Sequence, residues 1–513
     1  MQEFFFTLWA GLWGGGEGFA IPFGHDILLL TILLPLLSLI FVYAATPLGN
    51  LRLYNFSICS SLLSFLLSLV LWSSMEEVKG GFQSTYTLFL IPSFPFSLRL
   101  GVDGISIFFI VLTNIFIYLC ILSLSVSTAK LSEALIHLLF LQWSVLASFL
   151  MLDILGFFLF FEITLIPIYF LVIIWGSRER RVRASYLISI YTLFGSIFLF
   201  FNLLYLYSKT GTTDYELLLT VQFTEEDQLF LWITFFVAFA AKIPVFPFHI
   251  WLPEAHVEAP TLGSVILAVL LLKLGTYGLI RFSLPLFPEG TIYFSPLVST
   301  VAILGVVYTS LTAIRQVDLK KIIAYSSVGH MNIVLLGIMA GNVEALQGAI
   351  FQMLSHGVVS GALFFCVGVL YERYTVRSLK YFGGLTYFYP IFSIVFLIFA
   401  LANISFPLTS SFVGEFLILM GFLRYSFWGT FFASSSMVLG AVYMLWTYNR
   451  IFFGNLRSFS LVSYKDLNRR EFALFSTLIL ILILMGVAPH FFLDTMYMDC
   501  VNLLEHAKGS RIL

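Results

Sequence analysis

A series of apolar stretches, each about 20 residues long, dominates this chain of 513 residues. A stretch of this length spans the hydrocarbon core of a bilayer as an α-helix. Hydrophobic residues make up 60% of the chain and charged residues only 10%, whereas a soluble domain needs about 25% charged residues to cover its surface. The sequence therefore predicts an all-α membrane protein with about fourteen transmembrane helices.

In two of the fourteen predicted spans, prolines near a charged residue are interpreted as breaks. The spans cover residues 27–44, 55–74, 105–124, 133–152, 154–175, 186–207, 229–251, 261–283, 294–313, 320–339, 345–370, 388–422, 430–454 and 472–492. Pro244 and Pro247 lie in the seventh span, and Pro407 lies in the twelfth. Proline interrupts the backbone hydrogen bonds of a helix, so these two spans are predicted to be broken helices.

The loops on the two sides of the predicted spans differ in charge. If the count is fourteen, the loops after odd-numbered spans carry most basic residues, namely Arg52, Arg178, Arg180, Arg181, Arg183, Arg315, Lys320, Lys321, Arg373, Arg377, Lys380, Arg457, Lys465, Arg469 and Arg470. The opposite loops carry mostly acids. The positive-inside rule then assigns the basic side to the cytoplasm or the mitochondrial matrix, and both termini to the other side. It also leaves Lys320 and Lys321 at the membrane surface.

Several site classes are excluded by composition and spacing. A net charge of −1 gives no footprint for nucleic acid. The cysteines are scattered without C-x-x-C spacing, so neither a disulfide framework nor an iron–sulfur site is expected; they are Cys59, Cys120, Cys366 and Cys500. No pair of histidines has the His-x-x-x-His spacing of a metal site. Nothing in the chain resembles a nicotinamide or flavin site.

The N-terminal segment gives no sign of a targeting peptide. Residues 1–26 contain no Lys or Arg, which argues against a secretory signal and against a transit peptide. The run Gly14-Gly15-Gly16 follows no strand and has no Gly-Lys-Ser/Thr motif, so it is interpreted as a flexible leader and not as a phosphate loop.

Four charged residues lie well inside apolar stretches: Glu162, Lys242, Lys273 and Glu415. Each costs about 2.5–3.5 kcal/mol inside a membrane helix, or about 10–14 kcal/mol together. An apolar side chain would avoid this cost altogether. One interpretation is a set of pins between helices, such as a Glu162–Lys242 ion pair. The number of charges favours a pathway for ions or protons instead.

Two histidines extend this set of polar residues. His330 lies on the tenth predicted span and His356 on the eleventh, between Lys273 and Glu415 in the chain. A single histidine in a helix is more often structural than a proton carrier. The neighbouring hydroxyls of Tyr325, Ser326, Ser327 and Ser355 can hold bridging waters, which favours a role in a proton path. His249, Glu254, His256 and Glu258, past the prolines of span seven, are predicted either to line a hydrated entrance or to fix a loop.

The charged residues also suggest an internal repeat. Glu162 and His330 lie on spans predicted to be unbroken, and Lys242 and Glu415 follow on the broken spans. Spans four to eight and nine to thirteen would then form two inverted five-helix repeats. The predicted units are N-terminal membrane helices over residues 1–130, repeats over 131–285 and 286–455, and a C-terminal helix with a tail over 456–513.

Several motifs resemble those of the antiporter-like subunits of respiratory complex I, NADH–ubiquinone oxidoreductase. They are Phe160-Phe-Glu162, the stretch from Lys242-Ile-Pro-Val-Phe-Pro-Phe-His-Ile-Trp-Leu-Pro-Glu-Ala-His to Pro260, Gly263 to Ala268, Leu271 to Gly278, Arg315-Gln-Val-Asp-Leu-Lys-Lys to His330, Leu354-Ser-His-Gly357 and Phe412-Val-Gly-Glu-Phe416. The resemblance runs from about Gly101 to Arg450. The acid at the broken twelfth span is typical of one type of these subunits, whereas others carry Lys there. Gly211-Thr-Thr-Asp214 and Gly368-Val-Leu-Tyr371 resemble the plant and algal mitochondrial form.

The resemblance implies a role for each buried group. Glu162 and Lys242 would be a coupled pair and Lys273 the central relay. His330 and His356 would be further relays, and Glu415 the exit-side group. NADH, flavin (FMN), iron–sulfur and ubiquinone chemistry would belong to partner subunits. The expected partners are other membrane-arm subunits, especially antiporter-like neighbours, and lipids. The expected location is the inner mitochondrial membrane, with both termini on the intermembrane-space side.

The proposed mechanism is electrostatic switching of a lysine. An ionised Glu162 nearby keeps the proton on Lys242, and its withdrawal lets desolvation favour proton release toward Lys273. One alternative is a cation/proton antiporter subunit of the same superfamily. Another is a passive scaffold that only spaces other subunits, for which Glu162→Gln would leave pumping intact.

Overall fold

The computed structural model describes residues 24–77, 79–88, 98–455 and 465–509. The Gly14–Gly16 leader and Arg457 lie outside the described residues. The helices, numbered in chain order, are α1 Gly24–Ala44, α2 Asn50–Ser73, α3 Ser106–Ser123, α4 Leu131–Leu150, α5 Ile154–Trp175, α6 Arg181–Thr210, α7 Tyr215–Leu219, α8 Glu225–Lys242, α9 Trp251–Glu258, α10 Thr261–Leu286, α11 Pro288–Arg315, α12 Leu319–Met339, α13 Val343–Tyr374, α14 Pro390–Asn403, α15 Ser410–Tyr425, α16 Phe427–Phe452, α17 Arg469–Val487 and α18 His490–Gly509. Short 3₁₀ turns cover Thr46–Leu48, Leu379–Tyr381 and Leu385–Tyr387.

The prediction of a helical membrane protein is confirmed. Within the described ranges, twelve helices are long and apolar enough to cross a membrane, and the shorter helix α14 is also apolar. Each of the fourteen predicted spans coincides with a helix or an interrupted pair of helices. The exact number of crossings and the inverted relation of the repeats stay predictions.

A small sheet and a helix near the C-terminus are among the elements that were not predicted from the sequence. A two-stranded antiparallel sheet joins β1, Ser84–Leu88, to β2, Leu98–Val102, with Ser84 opposite Val102 and Leu88 opposite Leu98. The helix α18 follows the last predicted span, and it is not among the helices apolar enough to cross a membrane. Both are short or polar, so a search for long apolar stretches passes over them.

The helices differ in how deeply they lie in the protein. The apolar segments of α10 and α13 are entirely buried, and that of α12 is nearly so. The outer helices α1, α2, α16 and α17 are mostly not buried inside the protein. Large exposed side chains include Leu37 on α1 and Trp428 on α16, and also Phe201 on α6. Such a surface is stable against lipid and not against water. The charged residues of interest therefore lie on or against the central helices.

Both predicted helix interruptions are present. Helix α8 begins with Thr224 as N-cap and three acids in its first turn, ends at Lys242, and is followed by Trp251 as the first residue of α9. Helix α14 ends at Asn403 and α15 begins at Ser410. Because proline lacks a backbone N–H, the segments that contain Pro244 and Pro407 cannot continue the helix ladder.

The prediction that Glu162 lies on an unbroken helix is wrong. Helix α5 consists of two halves, Ile154–Ile163 and Leu165–Trp175, with a turn at Thr164 between them. Pro167 lies in the first turn of the second half, where a missing N–H is tolerated. The central helix α10 is also irregular, since two π-helical segments, Leu267–Leu271 and Leu279–Ser283, flank the α-helical turn that carries Lys273.

Candidate functional site

The buried lysine of the first interruption binds a backbone carbonyl. Lys242 is the last residue of α8 and is only 3% exposed. Its Nζ donates to the carbonyl oxygen of Phe161 at 2.7 Å and lies 3.0 Å from the centroid of the Phe161 ring. A buried ammonium must be compensated by such partners, because its desolvation is costly.

The carboxylate of Glu162 is buried without a contact to this lysine. Neither carboxylate oxygen has a hydrogen-bond partner among the described residues, and no ion pair within 4.0 Å joins it to Lys242. The two groups are still close enough to interact electrostatically. The expected pair is therefore present as neighbours that do not touch.

The central lysine is joined to a histidine. Lys273 is fully buried on α10, and its Nζ lies 2.8 Å from Nδ1 of His356 on α13. The same Nζ donates to the carbonyl oxygen of Ala268 at 2.5 Å. Ala268 belongs to a π-helical segment, a feature that is frequent at functional sites. The two predicted relay residues thus form one hydrogen-bonded unit.

The second interruption holds an acid and a histidine in direct contact. Oε1 of Glu415 on α15 lies 2.6 Å from Nδ1 of His330 on α12 and accepts a hydrogen bond from Gln352 Nε2 at 3.1 Å. Ser355 donates to the carbonyl oxygen of the Gln352 side chain at 3.0 Å. The ring centroids of His330 and His356 are 5.7 Å apart.

A small polar cavity adjoins the His330–Glu415 pair. Its lining includes the polar side chains of Ser310, Ser326, His330, Asn403, Glu415 and Tyr443, and it has room for about one water molecule. Gly414 allows α15 to approach α13 closely here, since a Cβ at this position would lie 2.6 Å from Gln352 Oε1 and 2.9 Å from its Cα. The second site is therefore compact and able to be hydrated.

The structure brings most of the predicted residues together in one buried row. Lys273 and His356 are bonded, His330 and Glu415 are bonded, and the two histidine rings lie side by side. Lys242 shares no hydrogen bond with Lys273 in the part of the chain that the structure describes. Transfer of a proton between the two lysines therefore requires intervening water or a movement of side chains.

The placement of Lys320 at the membrane surface is wrong. Its side chain is buried, and its Nζ donates to the carbonyl oxygen of Ala259 at 2.7 Å and to Ser264 Oγ at 3.2 Å. Lys321 does remain partly exposed and pairs with Glu254 at 2.9 Å. The helical period could have separated the two, because Lys320 shares a face of α12 with the buried Ala324 and Ser327.

The residues past the prolines of span seven form a helix and not a loop. Glu254, His256 and Glu258 lie on α9, and the His256 ring is buried and stacks on Phe364 with centroids 4.6 Å apart. Both His256 ring nitrogens lack a hydrogen-bond partner among the described residues. Two interpretations were open for these residues, a hydrated entrance and the fixing of a loop. The contact between Glu254 and Lys321 favours a structural role for Glu254.

A cluster of buried charged residues, Arg281, Asp103 and Asp499, escaped the sequence analysis. Arg281 lies near the end of α10, and its Nη2 binds Asp103 Oδ2 at 2.5 Å. Asp499 of α18 accepts N–H bonds from Gly81 and Gly104 beside this pair, and burial raises the pKa of Asp499 to about 7. Arg281 stands near the end of a predicted span, where a charge is common, so its burial could hardly be predicted from its position in the chain.

The fold and these contacts define a class: a multi-pass helical membrane protein with a buried row of lysine, histidine and glutamate side chains next to interrupted helices. Among the described residues, no group of three or more histidine, cysteine or acidic side chains is arranged to hold a metal ion. The row can hold and pass protons, because each member titrates or accepts hydrogen bonds.

Comparison with known proteins gives the family. Residues 151–430 match the family model described as NADH:quinone oxidoreductase/Mrp antiporter, transmembrane, and the chain belongs to this family. It is 49% identical over 481 residues to NADH-ubiquinone oxidoreductase chain 4 of Marchantia polymorpha, covering 93% of this chain and 97% of the relative. It is 47% identical over 480 residues to chain 4 of Chondrus crispus, with the same coverage. The expected likeness to chain 4, indicated by the acid Glu415, is confirmed.

A solved structure agrees with this family. A chain of respiratory complex I from Thermus thermophilus with bound NADH superimposes with a TM-score of 0.85 at 30% identity, covering 93% of this chain and 99% of that chain. This coverage is larger than the stretch from Gly101 to Arg450 over which the sequence motifs carry the resemblance.

Proposed function

We propose that this chain is a membrane-arm subunit of NADH–ubiquinone oxidoreductase that translocates protons through the buried row. The contact between Lys273 and His356, extended toward His330 and Glu415, is the observation that carries the proposal. Membrane helices retain such costly groups where they serve transport. Chain 4 relatives at 47–49% identity over nearly their full length support the assignment to the complex.

We extend the proposal to cofactors, neighbours, membrane and repeats. NADH, FMN, iron–sulfur clusters and ubiquinone bind to partner subunits, and the neighbours of this chain are other antiporter-like subunits and lipids. The chain resides in the inner mitochondrial membrane with both termini on the intermembrane-space side, as the basic loops suggest. Residues 131–285 and 286–455 are the two repeats, which contain the α8–α9 and the α14–α15 interruption respectively.

Lys242 switches between holding and releasing a proton. Glu162 favours the charged ammonium when it is ionised and near, and burial favours the neutral amine when that influence is withdrawn. Moving one charge against about 150 mV costs about 3.5 kcal/mol. Burial alone changes the proton affinity of a lysine by about 3–5 pKa units, each about 1.4 kcal/mol, so a switch of this kind supplies enough energy.

The test is Lys242→Ala in the assembled complex, reconstituted in vesicles and driven by NADH. The proton translocation coupled to this subunit is expected to disappear. Lys209→Ala is the matched control, since Lys209 is about half exposed at the end of α6, and it should pump normally. Assembly is checked for both variants on a blue-native gel, and Lys242→Gln replaces alanine if the smaller side chain prevents assembly. Full pumping stoichiometry in an assembled Lys242 variant refutes the proposal.

A cation/proton antiporter is the second candidate, because the family model includes Mrp antiporters. Its distinguishing property is a dependence on sodium. Proton translocation by reconstituted vesicles should be the same with and without sodium if the first proposal is right. A requirement for sodium, with opposite movement of the two ions, would favour the antiporter.

A further inference from the structure

The residue that holds Lys242 is not the acid beside it. The Lys242 ammonium contacts both the carbonyl oxygen of Phe161, at 2.7 Å, and the face of the Phe161 ring, at 3.0 Å from the centroid. Phe161 is the residue immediately before Glu162, and its side chain is 1% exposed. The lysine therefore has two alternative partners at adjacent positions of α5.

The interruption of α5 makes the Phe161 carbonyl available. In a continuous helix this oxygen would accept the N–H of Leu165, four residues on. Here the first half of α5 ends at Ile163 and the second begins at Leu165. The oxygen accepts instead from the Thr164 hydroxyl at 2.8 Å and from Lys242. The break in α5 thus frees a carbonyl oxygen that accepts a hydrogen bond from Lys242, the last residue of α8.

The electrostatic surroundings of Lys242 are simple. Among the charged groups of the described residues, Glu162 on α5 acts on its ammonium. The adjoining helix α6 offers Ser196, and its Gly195 approaches α8 so closely that a Cβ would lie 2.9 Å from the Ala241 Cβ. A choice between Phe161 and Glu162 therefore decides how firmly Lys242 keeps its proton.

We propose that Phe161 is a positioning residue that draws the Lys242 ammonium away from Glu162 and so prepares the lysine to release its proton. This inference rests on the proposed function. A neutral carbonyl and an aromatic face hold an ammonium, but a carboxylate adds the attraction of an opposite charge, which favours the protonated lysine. On Phe161 the lysine gives up its proton more readily, and on Glu162 it retains the proton.

The test is Phe161→Leu in the assembled complex, which removes the ring and keeps the backbone carbonyl. The lysine should then favour Glu162 and hold its proton more tightly. NADH-driven proton translocation is expected to fall about tenfold at neutral pH, and its pH profile should move up by about one unit. Phe161→Trp and Phe161→Tyr retain an aromatic face and should restore the wild-type profile.

Phe157→Leu is the control for loss of packing alone. Phe157 is fully buried on the same helix and packs against Phe161, with ring centroids 5.3 Å apart. Within the described part of the chain, the hydrogen bond and the ring contact of the Lys242 ammonium are both to Phe161 and not to Phe157. This variant should lose stability to a similar degree and keep the wild-type pH profile. If Phe161→Leu does not assemble, Phe161→Met fills more of the volume and is judged by the same criteria.

The outcomes separate this inference from the proposed function. An assembled Phe161 variant whose pH profile matches that of wild type and of Phe157→Leu overturns the role of Phe161, even where Lys242→Ala abolishes pumping. Full proton translocation in Lys242→Ala contradicts the proposed function itself, whatever pH profile is measured for Phe161→Leu. A shifted profile that only the aromatic variants restore supports the positioning role.

Discussion

The two interrupted membrane segments carry opposite charges and differ in contact. At the first, the broken helix α8 supplies the base Lys242, and the acid Glu162 comes from the neighbouring helix α5. At the second, the broken pair α14–α15 supplies the acid Glu415, and His330 comes from α12. The first pair is separated, whereas the second is bonded at 2.6 Å.

This difference shows that a helix break makes room for a polar contact but does not determine which groups make it. At the first interruption a freed carbonyl of Phe161 competes with the carboxylate for the lysine. At the second, Oε1 of the acid has two partners, His330 and Gln352, and Ser355 supports Gln352 in turn. The same architecture thus holds one site loosely, with groups free to exchange, and the other tightly.

The largest difference between the sites is expected for removal of the acid. Glu415→Ala leaves His330 and Gln352 without their common partner, and breaking a buried pair by removing one side costs about 3–5 kcal/mol. Glu162→Ala removes a carboxylate that has no hydrogen bond, so the free energy of unfolding should change by only about 1 kcal/mol or less. The measurement is the thermal inactivation midpoint of the purified complex.

Equal losses of stability in the two variants would contradict the distinction between a loose and a tight site. A large loss in Glu162→Ala alone would mean that Glu162 is bonded to Lys242 most of the time. Pumping gives a second comparison, because Glu162→Gln should impair proton translocation without unfolding the complex. Intact pumping in Glu162→Gln would instead support the passive scaffold.

An intermediate effect is expected at the glycine that precedes Glu415. In Gly414→Ala the new Cβ would meet both the side chain and the backbone of Gln352 below 3.0 Å, which forces α15 away from α13. Overpacking of this kind costs about 1–3 kcal/mol. Gly440→Ala on α16 is the control, since its nearest contact is 3.7 Å away and alanine favours a helix by about 1 kcal/mol.

Thermal inactivation of these two glycine variants sharpens the comparison. Gly414→Ala should be less stable than the parent complex, and Gly440→Ala equally or more stable. If Gly414→Ala keeps its stability, the close approach of α15 to α13 is not what holds Glu415 in place.

The sequence was sufficient for the long apolar helices and for the residues of the buried row. The length of the apolar stretches predicts the membrane-spanning helices. The prolines Pro244 and Pro407 correctly predicted the breaks after α8 and after α14. A charge inside a long apolar stretch is costly enough to stand out, which is why Lys242, Lys273 and Glu415 could be selected without a structure.

What the sequence could not supply is the choice of partner. Thr164 and Pro167 hinted at a break in α5, but nothing in the chain indicated that a backbone carbonyl would bind Lys242. Lys320 was misplaced because a lysine near the end of a span is usually at the surface, and only its face of the helix distinguishes it from Lys321. Contacts between helices that are distant in the chain depend on how their side chains pack. The length of an apolar stretch carries no information about that packing.

The smallest expected effect concerns the serines beside the two acids. Ser355 donates to Gln352, which in turn binds Glu415, so Ser355→Ala should lower the free energy of unfolding by about 0.5–1.5 kcal/mol. Ser196 faces Glu162, yet its hydroxyl donates to the carbonyl of Leu193 in its own helix. Ser196→Ala should therefore change the thermal inactivation midpoint very little.

A double-mutant cycle between Ser355→Ala and Gln352→Leu should show non-additive losses, because residues in one network couple. Additive losses would mean that Ser355 does not support Glu415, and that the tight site depends on His330 and Gln352 alone.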